Sequence, residues 1–191
     1  MKNILKNRRA LSTVVTTLII LVVSVLLAGV VTYFAINVTS TRVQEESLNL
    51  TFQHVWYSTT DSLAEAAIMI TNTGGRDVVL QKIAVRGQTV PVANIFYVKP
   101  TNIVDLPYVS QATAIANQTD APSELGSSLK LWSVTTSIIL PSASTIAVYI
   151  SAGTTYSPGS ITVNDVGLTV AISIFTAQAT YYKESNVNAA S

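Results

Sequence analysis

The chain has no cysteine, which excludes disulfides, thiolate metal sites and thiol catalysis together and leaves packing as the source of stability. It has one histidine, His54, between Gln53 and Val55, and no partner stands at nucleophile or metal spacing, so it reads as an ordinary strand residue. The ten acidic residues are scattered singly apart from Glu45 and Glu46, which provides neither a general acid/base pair nor the oxygen cluster a calcium ion needs. Phosphate loops fail as well, because neither Gly74-Gly75 nor Gly87 opens a helix with a following lysine and hydroxyl. No catalytic residue, metal ligand or cofactor is expected, and the chain does not read as an enzyme.

Charge is scarce: charged residues are 11% of the sequence, a balance too apolar for disorder and rich in the Ser, Thr, Val, Ile and Ala of β packing. Four of the eleven basic residues, Lys2, Lys6, Arg8 and Arg9, precede Leu11; the remaining seven face ten acids for a net of −3. No basic patch is left to suggest nucleic acid. Residues 11–38 carry no charge at all.

What is present begins with that run, which exceeds the ~20 apolar residues that span a bilayer. Lysine and arginine before it, with only Arg42 soon after, orient the N-terminus to the cytoplasm and the C-terminal part outside. A conventional signal-peptidase site fits poorly, since the small-residue candidate at Ala28 has Leu26 two residues before it. Val14, Val15, Thr16, Thr17, Ile19, Ile20, Val22 and Val23 have mediocre helix propensity. Hydrocarbon enforces the helix by demanding internal backbone partners, and the hydroxyls of Thr13, Ser24 and Thr32 can bond carbonyls one turn earlier. No polar face recurs at a period of 3.6, so lipid or a bundle of like helices satisfies it equally. Ala28 and Gly29 permit close helix approach or a bend, or are ordinary membrane composition. Nothing breaks the helix before Ser47, and Arg42 and Glu46 stand four apart, able to pair on a helix.

The residues Arg8-Arg9-Ala10-Leu11-Ser12-Thr13-Val14-Val15 resemble the processing site of archaeal type IV pilin and archaellin precursors. The resemblance covers the first quarter of the chain. It implies a cut by a prepilin leader peptidase between Ala10 and Leu11, with Arg8 and Arg9 as the basic residues before it. It also implies that the retained helix leaves the membrane, with the help of a pilus assembly platform, for a helical bundle at the core of a homopolymer. The residues expected in that core are Val14, Val15, Leu18, Leu21, Val22, Val25, Leu26, Gly29 and Tyr33. Val15 stands where bacterial type IV pilins usually carry glutamate, which looks archaeal. The opening lacks the glycines common in motility-filament subunits and looks more like adhesive pilins.

After Leu48, β-branched and alternating runs read as strands at 50–57, 66–71, 78–85, 134–140, 145–151 and 168–180. Asn72-Thr73-Gly74-Gly75 and Ser157-Pro158-Gly159 read as turns, with glycines able to take positive φ. Six or more strands without a further amphipathic helix indicate an immunoglobulin-like β-sandwich. Residues 70–87, ITNTGGRDVVLQKIAVRG, look like the strand, turn and strand common in archaellin and archaeal pilin head domains. Residues 91–130, with Pro100, Pro107 and Pro122, read as long loops or short edge strands. Tyr181 and Tyr182 close the last strand, and residues 183–191 read as a polar tail that stays at the surface or meets a neighbouring subunit.

Sequons stand at Asn37, Asn49 and Asn117. Asn117 falls in an expected exposed loop, whereas membrane or filament core would shield Asn37; O-glycosylation at Ser and Thr is also open. The expectation is therefore an α+β chain with three parts: a basic leader at 1–10, an apolar helix at 11–48 and a β-sandwich head at 49–191. The resemblance makes it the precursor of an archaeal type IV pilus subunit, held in the cytoplasmic membrane before assembly and in an extracellular adhesive filament afterwards. The alternatives are an archaellum subunit, or an uncut, signal-anchored ectodomain that binds a ligand.

Overall fold

The computed structural model describes residues 4–43, 45–109, 119–151 and 157–190. It divides into two compact units, Met1–Gln44 and Glu45–Ser191. The chain is α+β, with one long apolar helix followed by a strand-rich, curled β-sheet domain.

Helix α1 runs Ile4–Val43, so it takes in residues 4–10 of the expected leader and stops short of the expected boundary at 48. The early stop has a local cause, because residues 45–47 are committed to the head. The carbonyl of Ser47 accepts from the backbone N–H groups of Thr73 and Gly74 at 2.9 and 3.1 Å. The Glu46 carboxylate accepts from the Thr176 hydroxyl. Arg42 and Glu46 therefore do not share a helix, and the expected pairing lacks its basis. Gly74 is required by this arrangement, since a Cβ there would lie 2.7 Å from both the Glu45 carbonyl oxygen and the Ser47 nitrogen. Its role is close approach, for neither Gly74 nor Gly75 is among the positive-φ residues.

The head contains β1 (Leu48–Ser58), β2 (Leu63–Asn72), β3 (Val78–Val85), β4 (Gln88–Thr89), β5 (Ile95–Val98), β6 (Thr119–Asp120), β7 (Lys130–Ser133), β8 (Ile138–Leu140), β9 (Thr145–Ile150), β10 (Thr169–Thr176) and β11 (Thr180–Ala190). One hydrogen-bonded path runs β4-β3-β10-β11-β1-β2-β9-β5-β7-β6, with β8 added on β3. The expected strand at 134–140 shrinks to β8. Residues 91–130 supply β5, which is an interior strand between β9 and β7.

The largest departure is β11. Residues expected to form a polar tail join the two halves of the sheet: 180–186 pair antiparallel with β10, and 187–190 pair parallel with β1 in the register Val55↔Val187 to Ser58↔Ala190. Backbone pairing, with β10 along its first part and β1 along its last, makes these residues a strand without an apolar side-chain pattern. Most β11 side chains remain exposed, with Val187 the buried exception.

Strand alternation feeds two cores. In β2, Ala64, Ala66, Ile68 and Ile70 enter the larger core with Val148 and Ile150 of β9 and Ile172 and Ile174 of β10. Ala67 and Met69 face the opposite way, into a second core with Trp56, Phe96, Tyr149 and Leu106. β2 is therefore buried on both faces, which explains its near-continuous apolar sequence. A bulge between Thr51 and His54 shifts the register of β1 against β2, with Phe52 at φ 50°. It reverses the parity of the strand: Leu48 and Leu50 enter the larger core before it, and Val55 and Tyr57 after it. The bulge thus sends His54 and Trp56 to the second face.

Candidate assembly helix and the strapped face of the head

Within α1, Leu11–Thr41 is a 31-residue span in which every residue is exposed, and its most apolar 18-residue stretch has a mean hydropathy of 2.9. At ~1.5 Å per residue it is about 46 Å long, more than the ~30 Å hydrocarbon core of a bilayer. The large side chains expected in a filament core, Val14, Val15, Leu18, Leu21, Val22, Val25, Leu26 and Tyr33, are 46% to 72% exposed. A Cβ at Gly29 would meet nothing within 4 Å.

The helix disposes of its few hydroxyls internally. Ser24 donates to the Ile20 carbonyl at 2.7 Å and Thr32 to that of Ala28 at 2.8 Å, both as the sequence implied. Thr16, Thr17 and Thr41 do the same to Ser12, Val14 and Asn37 at 2.9 Å. Each bond removes a polar group that would otherwise cost free energy in an apolar setting.

The bond between Ala10 and Leu11 lies inside α1, with Arg8 and Arg9 one turn or less before it on the same helical backbone. Among the sequons, Asn37 is an exposed residue of α1 and Asn49 an exposed residue of β1 that pairs with Thr71. Asn117 lies outside the described residues.

A second constellation, which sequence reasoning missed, sits on the outer face of β1, β2 and β9. Residues 99–109 form a strap across this face. Leu106 enters the second core, the Tyr149 hydroxyl donates to the Pro107 carbonyl at 3.2 Å, and His54 Nε2 meets Asp105 Oδ1 at 2.6 Å. His54 therefore has a partner 51 residues away in sequence, and its ring also stacks on Trp56 with centroids 5.1 Å apart. Beneath the strap lies Glu65, fully buried and opposite Trp56 in the ladder. One of its oxygens accepts from the Val109 N–H at 3.1 Å, and the other has no hydrogen-bond partner. Burial pushes the Glu65 carboxyl up to about 8, against a smaller lowering by the Val109 N–H. The same burial, with Glu65 nearby, raises Tyr149 and keeps its hydroxyl a donor. The available signal was a lone acid in an alternating apolar strand, LAEAAIMITN, although period alone does not show that both faces are covered.

Elsewhere Asp165 accepts from the backbone N–H and hydroxyl of Thr162 and pairs with Arg86 at 3.1 Å. These bonds, that of the Thr162 N–H first, lower its pKa. Among the described residues no group of three or more His, Asp or Glu side chains is placed to hold a metal ion.

The class these features define is an α+β protein with one N-terminal helix long and apolar enough to cross a membrane and a β-rich head. No protein-family model and no curated protein matches the chain.

Proposed function

We propose that the chain is the precursor of an archaeal type IV pilus subunit, cut between Ala10 and Leu11 and polymerising through α1 into an extracellular, adhesive filament that displays the head. The observation that carries this reading is the Leu11–Thr41 span of the helix: it is apolar on every face, exposed throughout, and preceded by Lys2, Lys6, Arg8 and Arg9. Such a surface is stable only in lipid or among like helices, and a subunit that passes from one to the other uses both. Burying about a dozen large side chains at roughly 1.5–3 kcal/mol each before entropy far exceeds any surface ion pair. The head would form the outer sheath, with Asn49 and Asn117 as glycan acceptors.

The test is the mature N-terminus, read by mass spectrometry on protein from the cell surface. A start at Leu11 is the expected result. Leu21→Asp should then abolish filaments, and filaments of normal yield from that variant would sink the role assigned to α1. The competing reading is an uncut signal anchor carrying a ligand-binding ectodomain. A retained leader on membrane-bound monomers would establish it.

A further inference from the structure

We propose that the head carries a binding groove for an acidic saccharide, floored by Tyr97 and Trp132 and flanked by Lys99 and Lys130. The groove has a volume of about 450 Å³ and is lined in addition by Val98, Ser128 and Leu129. That volume lies within the range of small-ligand sites, roughly 300–1,000 Å³.

Its construction follows from the strands. Tyr97 of β5 and Trp132 of β7 are directly opposite in the ladder, so their rings belong to one face. The preceding residue on β7, Leu131, turns to the second core and is fully buried, while Trp132 is 47% exposed. The other tryptophan of the chain, Trp56, is 9% exposed in that same core. An indole held at a rigid strand position and left open to water is a large apolar face with no occupant from the described residues. The negative π face of an aromatic ring attracts the partly positive C–H bonds that a pyranose presents on one side. The hydroxyls on the rim of a sugar then need polar partners, which Ser128 and the Lys130–Asp120 ion pair can supply.

The charge of the groove selects an acid. The head has six basic and ten acidic residues, yet two of the six, Lys99 and Lys130, line this one groove. Lys130 is engaged by Asp120. Lys99 is exposed and makes no ion pair among the described residues, so its ammonium is available for a carboxylate. Part of the lining is backbone under constraint: Ser128 has φ 62°. Left-handed backbone at a non-glycine residue persists only where its surroundings hold it, and it clusters at sites that bind. A uronate, with its ring on Trp132 and its carboxylate on Lys99, satisfies each of these features.

The experiment is titration of the full-length chain in detergent micelles with tetragalacturonate, its fully methyl-esterified form and tetraglutamate, followed by indole fluorescence and calorimetry. The acidic sugar should bind, and the neutral ester should bind at least about fivefold more weakly. Trp132→Ala should lose roughly tenfold or more in affinity, with Trp132→Phe retaining most of it. Lys99→Gln should lose about three- to fivefold, together with the salt dependence. A wild-type-like far-ultraviolet circular dichroism spectrum and melting transition show that the variants fold, and Lys99→Gln decides if Trp132→Ala does not. Absence of binding, equal affinity in Trp132→Ala, equal affinity for the neutral ester, or tighter binding of tetraglutamate each overturns the proposal.

Discussion

Helix α1 and strand β2 are both apolar, yet the first is exposed throughout Leu11–Thr41 and the second is buried on both faces. The difference is the source of the covering surface. β2 is covered within its own domain, by β10 and the rest of the larger core on one side and by the second core and its strap on the other. No described residue buries the Leu11–Thr41 span of α1, and apolar area left in water costs ~25 cal/mol per Å². Apolarity states that a segment must be buried; only the presence or absence of a partner within the chain states where.

Three perturbations sharpen this comparison. The largest effect is expected from truncation after Ala179, which removes β11, the strand that joins β10 to β1 among the described residues. The head should lose its cooperative thermal transition while the protein still fractionates with membranes. A truncated head with a near-native melting curve would show that the two halves hold without this strand.

Next is a pair of matched truncations. Ile68→Ala in β2, where the side chain is fully buried, should cost about 2–5 kcal/mol. That corresponds to roughly 5–15 °C in the Tm of the head, measurable by calorimetry. Leu21→Ala in α1 should leave that Tm unchanged, because its side chain contributes nothing to the core of the head.

The smallest effect is a dependence on pH. Glu65 is held protonated in the folded head up to about 8, whereas in the unfolded chain it ionises near 4.5. Between these values the folded state binds more protons than the unfolded one, so Glu65 makes stability fall as pH rises through the window, by on the order of a few kcal/mol. Glu65→Gln should remove that slope and stabilise the head most at pH 8 and above. Parallel stability curves for the two proteins from pH 5 to 9 would contradict the assignment. The strap should loosen in wild type at the alkaline end, read as a lower protection factor, corrected for the intrinsic rise of exchange with pH, for the Val109 amide than at pH 6, with no such fall in Glu65→Gln.

Several elements were legible from the residues alone, for reasons local to them. Residues 11–38 are long and uncharged enough to fix a helix in an apolar setting, and Ser24 and Thr32 needed only their own i−4 carbonyls. β3 matches its expected bounds, and β1, β2 and β9 lie within one to three residues of theirs, because two-residue alternation and flanking turn residues are local signals. The bulge at Phe52 was not legible, since one extra residue in β1 has meaning only against β2. His54 looked isolated because Asp105 is 51 positions away. The groove at Trp132 was hidden for the same reason, its walls coming from β5, β7 and the turn before β7.

The sequence by itself determined that this protein has one span-length helix and a β-rich head, because hydrophobic run length and period are properties of neighbouring residues. Only the tertiary structure decided that the polar residues 180–190 form a central strand, that β1 meets β11 in parallel, and that Glu65 is shut beneath a strap. Those outcomes rest on backbone pairing and burial between segments more than a hundred residues apart for β1 and β11, and on coverage of both faces of one sheet for Glu65. Strand partners are chosen by the whole chain, and a polar stretch whose backbone is paired by β10 along one part and β1 along the other carries no mark of that in its side chains.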